Sequence, residues 1–383
     1  MPYTYSRKTI IGATLVEYFF WFVSPLLSWW DAQKSAGSRI LLVEPFQMGD
    51  VLSLTPMFDP LKRRYPLSEI FVLTKPSSGA ILLSDPRVKV LFADFPWSDY
   101  GAKNMPLSRL WRLLQFVWRI RRQKFDIGID TRGDIRSQVV MVLAGCKRRI
   151  GFTRYLGSNL STRGLLLTDA IRQSSRTHRY EANVELLTHM GIPKESLLPL
   201  TFPSFHPEVN NIPLPSSAFI LVHIGGGWEF KRWATEKWVN LVDSLSKDTP
   251  VVVISGPGEA GILSELSSKL SLPNSVTCKV TTFEEMIALT IGCSIFIGLD
   301  SGPMNLATCL NKKVVALFGP GEFNMWRPLT EGSRVVRRVE RFPCSPCLQI
   351  TCLYPHHNCM AEIQVEDVMN AIVQTLDSPG KQT

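Results

Sequence analysis

Asp50 is the first residue of this chain whose type and position suit chemistry. It follows a short apolar strand over residues 39–43 and the loop Glu44-Pro45-Phe46-Gln47-Met48-Gly49, and it stands at the start of a helix expected over 51–64. A carboxylate held there is a general base if an acceptor hydroxyl comes within hydrogen-bond reach. The plainer role for the same residue is to cap the helix. Gly49 leaves room for a ligand to approach the backbone. A second set lies far downstream, where His223-Ile224-Gly225-Gly226-Gly227-Trp228-Glu229-Phe230-Lys231 follows another strand. Gly225, Gly226 and Gly227 free the backbone to wrap an anion, and Lys231 adds a point charge for a phosphate oxygen. Glycine runs also make ordinary turns, so the lysine carries more weight than they do. Glu259 ends the segment Ser255-Gly256-Pro257-Gly258-Glu259, and it is placed either to accept from ribose hydroxyls or simply to start a helix in solvent. Asp300, Ser301 and Gly302 form a turn between a strand and a helix that opens on Pro303. Proline suits that position because its missing amide would be unpaired there anyway. The turn therefore presents backbone N–H groups at the positive end of a helix, where phosphate binds.

These residues need a frame that brings strand ends together, and the hydrophobic pattern supplies one. Apolar strands at 39–43, 70–73, 88–92 and 127–130 alternate with helices, of which residues 107–124 form the most amphipathic. The loop Thr131-Arg132-Gly133-Asp134 leads to a helix over 135–143. A second series has strands at 219–223, 251–255, 275–279, 295–299 and 314–318, and it closes with a helix over 365–376. Such alternation implies an α/β fold with parallel sheets covered on both faces. Residues 201–217 hold four prolines without helical periodicity and read as a linker. The expected organisation is a hydrophobic segment at 1–37, a first doubly wound domain at 38–200, the linker, and a second domain at 218–383. Two such domains facing one another place a ligand in a central cleft, at the carboxyl ends of the strands.

A length of 383 residues suffices for two such cores, and 45% hydrophobic with 20% charged residues describes a globular chain. The formal charge of +9 favours anionic partners. No nucleic-acid module pattern occurs, which leaves phosphate-rich small molecules and anionic lipid. The basic tracts Lys62-Arg63-Arg64, Lys147-Arg148-Arg149 and 334–341 read as solvated faces, some of them open to an anionic glycolipid or membrane. Residues 9–30 carry one charge, Glu17, and are rich in Phe, Trp and Tyr. Three placements compete there, in order: an anchor lying in the membrane plane, a single span, and a helix buried against the protein. Cys146, Cys278, Cys293 and Cys309 sit in or beside apolar segments as small hydrophobes, consistent with a reducing compartment. Cys344, Cys347, Cys352 and Cys359, with His356 and His357 among them, are spaced for a structural zinc ion or another metal, the alternatives being unligated thiols or an occasional disulfide. His178 and His189 read as structural.

Taken together, RILLVEPFQMGDVLSLTPMFDPLKRRYP, DIGIDTRGDIRS with RRIGF, HIGGGWEFKRWATEKW and FIGLDSGPMNLATCLNKKVVALFGP resemble glycosyltransferase family 9, the ADP-heptose:lipopolysaccharide heptosyltransferases. The resemblance runs from about residue 39 to residue 376. It implies two Rossmann-like domains in the GT-B arrangement and transfer of heptose from ADP-heptose to the lipopolysaccharide inner core. It further implies inversion at the anomeric carbon, no required metal, and work at the cytoplasmic face of the bacterial inner membrane. Asp50 matches the family's proposed base, Lys231 the lysine on the donor phosphates, and Ser301-Gly302 the diphosphate turn with Asp300 beside it. Glu259 is a looser match to a ribose-binding residue. The chain departs from the family at Asn305, where many members carry histidine, and at Gly225-Gly226-Gly227, which replaces hydroxyl residues. Those departures leave open a transferase for another nucleotide sugar. A non-catalytic nucleotide-sugar-binding protein at the membrane is the rival from outside the enzymes.

Overall fold

The computed structural model describes residues 7–29, 39–83, 85–97, 107–154, 162–172, 178–194, 214–215, 217–227, 229–340, 342, 344, 347, 352, 354 and 358–378. Six strands in the first half form one sheet: β1 (Arg39–Val43), β2 (Glu69–Thr74), β3 (Val88–Phe92), β4 (Ile127–Asp130), β5 (Arg148–Phe152) and β6 (Asp169–Ile171). Their spatial order is β3-β2-β1-β4-β5-β6, and every pairing is parallel. The second half repeats the plan with β7 (Ile220–His223), β8 (Val251–Ser255), β9 (Val276–Val280), β10 (Ile295–Leu299), β11 (Val314–Phe318) and β12 (Arg334–Arg337). That sheet runs β12-β11-β10-β7-β8-β9, again wholly parallel. The chain divides into two compact units at Pro203 and Ser204. The linker expected at 201–217 lies largely outside the described residues.

Burial explains the central strands. Ile40, Leu41, Leu42 and Val43 of β1 are all buried, as are the five residues of β10, because helices cover both faces of each sheet. Phe71, Leu113, Val117 and Phe125 pack with Leu41 in the first unit. Trp238, Leu241, Val253, Ile297 and Leu317 fill the second. The strand order reverses between β1 and β4, and again between β7 and β10. Loops leaving neighbouring strands diverge at such a reversal, which makes it the place for a ligand.

Local details differ from the expected pattern. The helix expected over 51–64 is two helices, Met48–Leu52 and Thr55–Arg64. Pro56 lacks the amide that would continue the first helix, and the hydroxyls of Ser53 and Thr55 donate to the carbonyls of Asp50 and Leu52 instead. Two basic tracts are strands, not solvated faces. Arg148 and Arg149 open β5, where Arg148 pairs with Asp169 at 2.7 Å and Arg149 donates to Leu166 O at 2.6 Å. Arg334–Arg337 is the edge strand β12. Charged residues at the start of the interior strand β5 and at both ends of the edge strand β12 conceal the apolar pattern that marks a strand in sequence.

The N-terminal segment is a helix, Arg7–Trp29, lying against the first unit. Ile10 and Ala13 pack beside Phe46 and Trp97, while Phe20 reaches Ile135, Val142 and Leu166. Glu17 is buried, and its carboxylate accepts from the backbone N–H of Arg163 at 2.9 Å and of Leu165 at 2.8 Å. Among the described residues no helix is long and apolar enough to cross a membrane, so the spanning placement is not met.

Candidate functional site

In the first unit the loops after β1 and β4 meet at the strand reversal. Asp50 is the third residue of the helix Met48–Leu52, where its carboxylate closes a capping box on Gln47 instead of standing at the N-cap itself. Its Oδ2 accepts from Gln47 N–H at 3.1 Å, which fixes the rotamer, and its Oδ1 accepts from Arg132 Nη1. Arg132 lies over the Phe46 ring, 4.3 Å from its centroid. A carboxylate has about four lone-pair positions, so these bonds leave acceptor capacity on Asp50.

Beneath Asp50 sits a network that is buried throughout. Arg179, the first residue of the helix Arg179–His189, donates to Glu44 Oε2 at 2.7 Å and to Thr131 Oγ1 at 2.8 Å. The Thr131 hydroxyl donates to the same Glu44 oxygen at 3.0 Å. Arg179 Nε stands 3.9 Å from Asp50 Oδ1. Burial raises the Glu44 carboxyl above its ordinary range, with the Asp50 charge adding to the shift. Burial likewise lowers Arg179 below the usual guanidinium value, opposed by Glu44. Breaking such a buried pair from one side costs about 3–5 kcal/mol. Asp130, the last residue of β4, is pushed up to about 7, first by burial and then by the neighbouring Asp134 charge. Its oxygens accept from Arg132 N–H at 3.1 Å and Gln138 Nε2 at 3.0 Å, which fixes the loop that carries Arg132.

In the second unit the loops after β7, β8 and β10 carry the other candidates. Lys231 lies in a 3₁₀ turn after β7, and its ammonium pairs with Asp300 Oδ2 at 2.7 Å. The Asp300 carboxylate lies tight against Gly321, where an added Cβ would come within 1.9 Å of it. Ser301 precedes the helix Gly302–Cys309 in extended backbone, and its hydroxyl donates back to Leu299 O at 3.1 Å without capping that helix. Asn305 donates from Nδ2 to Ser301 O at 3.0 Å, which steadies the turn from one step along the helix.

Glu259 folds over Gly225: a Cβ there would lie 1.8 Å from its Oε2. The same oxygen accepts from Gly256 N–H at 3.3 Å and stands 4.0 Å from His223 Nε2. Burial lowers His223, opposed by the Glu259 charge. Any side chain at 225 would displace that carboxylate, which gives the missing hydroxyl at this position a steric reason. Gly226 faces Leu299, whereas Gly227 would meet nothing within 4 Å. Trp228 lies outside the described residues. A cavity of about 320 Å³ beside this loop is lined by Ile224, Arg232, Trp233 and Ile262, and none of the candidate donor residues borders it.

The cysteine cluster is less complete. Burial pushes the Cys359 thiol up to about 11, and Cys352, Cys344 and Cys347 add to the shift, so the four lie near one another. Among the described residues no group of three or more His, Cys, Asp or Glu side chains stands where it could hold a metal ion. His356 and His357 are outside those residues. Sequence reasoning passed over Glu44, Thr131, Arg132 and Arg179. Their signal was position: three of them leave β1 or β4 at the reversal, while Arg179 comes from a distant helix that nothing in the sequence ties to Asp50.

Paired sheets of this order, with polar loops gathered at each reversal, form a fold that known structures share. The structure of Escherichia coli ADP-heptose lps heptosyltransferase II superposes with a TM-score of 0.67 at 18% identity, covering 88% of this chain and 98% of that one. A family-wide sequence profile, Glycosyltransferase family 9 (heptosyltransferase), matches residues 113–358, well over half of the chain. The chain belongs to that family and is a glycosyltransferase enzyme. Lipooligosaccharide heptosyltransferase 2 of Campylobacter jejuni (serotype O:6, strain 81116) is 29% identical over 345 residues, covering 87% of this chain and 98% of that protein. Lipopolysaccharide heptosyltransferase 3 of E. coli is 25% identical over 296 residues, covering 73% of this chain and 83% of that protein. The profile spans Lys231, Glu259, Asp300, Ser301 and Gly302 but begins after Asp50.

Proposed function

We propose that the protein is an inverting GT-B heptosyltransferase that moves heptose from ADP-heptose to an inner-core acceptor of lipopolysaccharide, at the cytoplasmic face of the inner membrane. The observation that carries this reading is the Lys231–Asp300 pair beside the uncapped turn at Ser301-Gly302. An ammonium and a helix N-terminus together stabilise a departing diphosphate where other transferases use a metal ion. Glu259, held over Gly225 at the end of β8, is placed for the ribose hydroxyls. Asp50 is the general base. Gln47 fixes its rotamer, and Arg132 swings from Oδ1 as the acceptor hydroxyl arrives, with the buried Glu44–Arg179 pair holding the floor beneath. Inversion in one step asks for no covalent intermediate and one proton acceptor; of the two carboxylates at that loop, Glu44 is fully buried against Arg179, which leaves Asp50 for the proton. The relatives named for lipopolysaccharide and lipooligosaccharide support heptose and a core glycolipid as donor sugar and acceptor. The four cysteines are proposed as a structural cluster without a part in the reaction.

The test is ADP release from ADP-heptose, with and without a deacylated inner-core acceptor, in wild type, Asp50→Asn and Lys231→Ala. Acceptor-dependent release should fall by about 10²–10⁴-fold in Asp50→Asn and by about 10²–10³-fold in Lys231→Ala. Binding of ADP-heptose without turnover on any acceptor would sink the transferase assignment at this site. No binding at all would leave a transferase for a different nucleotide sugar.

A further inference from the structure

We propose that the first unit docks on an anionic lipid bilayer through one rigid surface built from two helices, Arg7–Trp29 and Leu107–Ile120. This deepens the membrane location proposed above by naming the surface that makes the contact. Each helix has two opposed apolar stripes. On the first, Ile10, Ala13, Glu17 and Phe20 face the protein at helical spacing. Ile11, Leu15, Phe19 and Phe22 recur one position further round, and together with Trp21 they are 50–74% exposed. On the second, Leu113, Val117 and Ile120 are buried, whereas Leu107, Trp111 and Trp118 are exposed.

The two outward stripes belong to one side of the unit. Both helices pack against the helix Ile135–Leu143. Trp97 touches the cluster of Leu113 and Val117 and also that of Ile10 and Ala13. The buried Glu17 carboxylate, held by two backbone amides of the 163–165 segment, fixes the rotation of the first helix and so keeps Phe19 and Phe22 pointing away from the protein.

Charge selects the occupant. Glu17 is the only carboxylate on the first helix and it is buried; the second helix has none. Arg7, Lys8, Arg112, Arg119, Arg122 and Arg163 are all exposed around the stripes, and Arg163 lies over the Tyr18 ring at 5.5 Å. An apolar aromatic strip whose described rim is mainly basic, with the exposed Asp94 neutralised by Arg109 of the second helix, matches the boundary between acyl chains and anionic headgroups. Tryptophan and tyrosine favour that depth because their rings are amphipathic.

The experiment is sedimentation of the full-length chain with phosphatidylcholine vesicles, prepared with and without phosphatidylglycerol. Wild type should partition onto the anionic vesicles and only weakly onto neutral ones. Phe19→Ser/Phe22→Ser and Trp111→Ser/Trp118→Ser should each weaken partition by about ten-fold or more. Arg112→Gln/Arg119→Gln should weaken it by about five-fold per charge. All three variants should keep the wild-type melting temperature and ADP release with the deacylated acceptor, so loss of docking is separable from loss of the transferase. Equal partition onto neutral and anionic vesicles, or partition untouched by either aromatic pair, overturns the proposal. So does light scattering that shows a wild-type dimer which the aromatic substitutions convert to monomer, since the surface would then be a protein interface.

Discussion

Asp130 and Glu44 are carboxyls stripped of water within one loop of Asp50, and both are raised above their ordinary range for that reason. Asp130 has the clearer consequence. Between 3.8 and about 7 the folded chain holds a proton that the unfolded chain has released. The folded form therefore binds more protons in that window, and stability falls as pH rises through it, levelling off above. Asp130→Asn removes the ionisation and keeps an acceptor for the Arg132 amide. The expected outcome is a melting temperature that gains on wild type steadily from the acid end of the window to its neutral end. A difference between the two proteins that stays constant with pH, measured by thermal scanning, would refute the assignment.

At the scale of elements, the loops after β7 and β8 are built against each other. Gly225→Ala must push the Glu259 carboxylate off its seat, since the new methyl would overlap it. The expected result is weaker ADP-heptose binding by about ten-fold, with a largely unchanged melting temperature, read by calorimetry; undiminished binding would remove Glu259 from the donor site. The strands that carry these loops were legible because β1, β7, β8, β10 and β11 are unbroken apolar runs in buried positions. β5 and β12 were not, because Arg148, Arg149, Arg334 and Arg337 occupy strand ends where side chains reach solvent or a polar partner. The break at Ser53–Leu54 was hidden too, although Pro56 could have marked it. Of the site, Asp50, Lys231 and the Asp300 turn stood out by residue type beside a strand end. Arg179 did not, because 129 positions separate it from Asp50 and only the folded chain brings them within 3.9 Å.

For the whole molecule, the separate cores in the two halves predict two calorimetric unfolding transitions. ADP-heptose at about one hundred times its dissociation constant adds about 2.7 kcal/mol to whichever unit binds it. The transition of the second unit should then move up by about 5 °C or more while the first stays in place. Lys231→Ala should abolish the shift, whereas a shift confined to the first transition would place the donor on the wrong unit. The pair formed by Lys231 and Asp300 also bears on how the enzyme fares in a cell crowded with polyphosphates. On the proposal that Lys231 holds the donor diphosphate, it works as an ion exchanger supplied with its own counter-ion. An uncompensated lysine at a helix N-terminus would take up whatever phosphate compound is most abundant. With Asp300 already in place, a phosphate group alone gains little by displacing it, and only a ligand that brings further contacts through its nucleoside and sugar makes the exchange favourable. On the same proposal, when the spent nucleotide loosens, the resident carboxylate is beside the lysine to take it back, so product leaves against a competitor that never diffuses away.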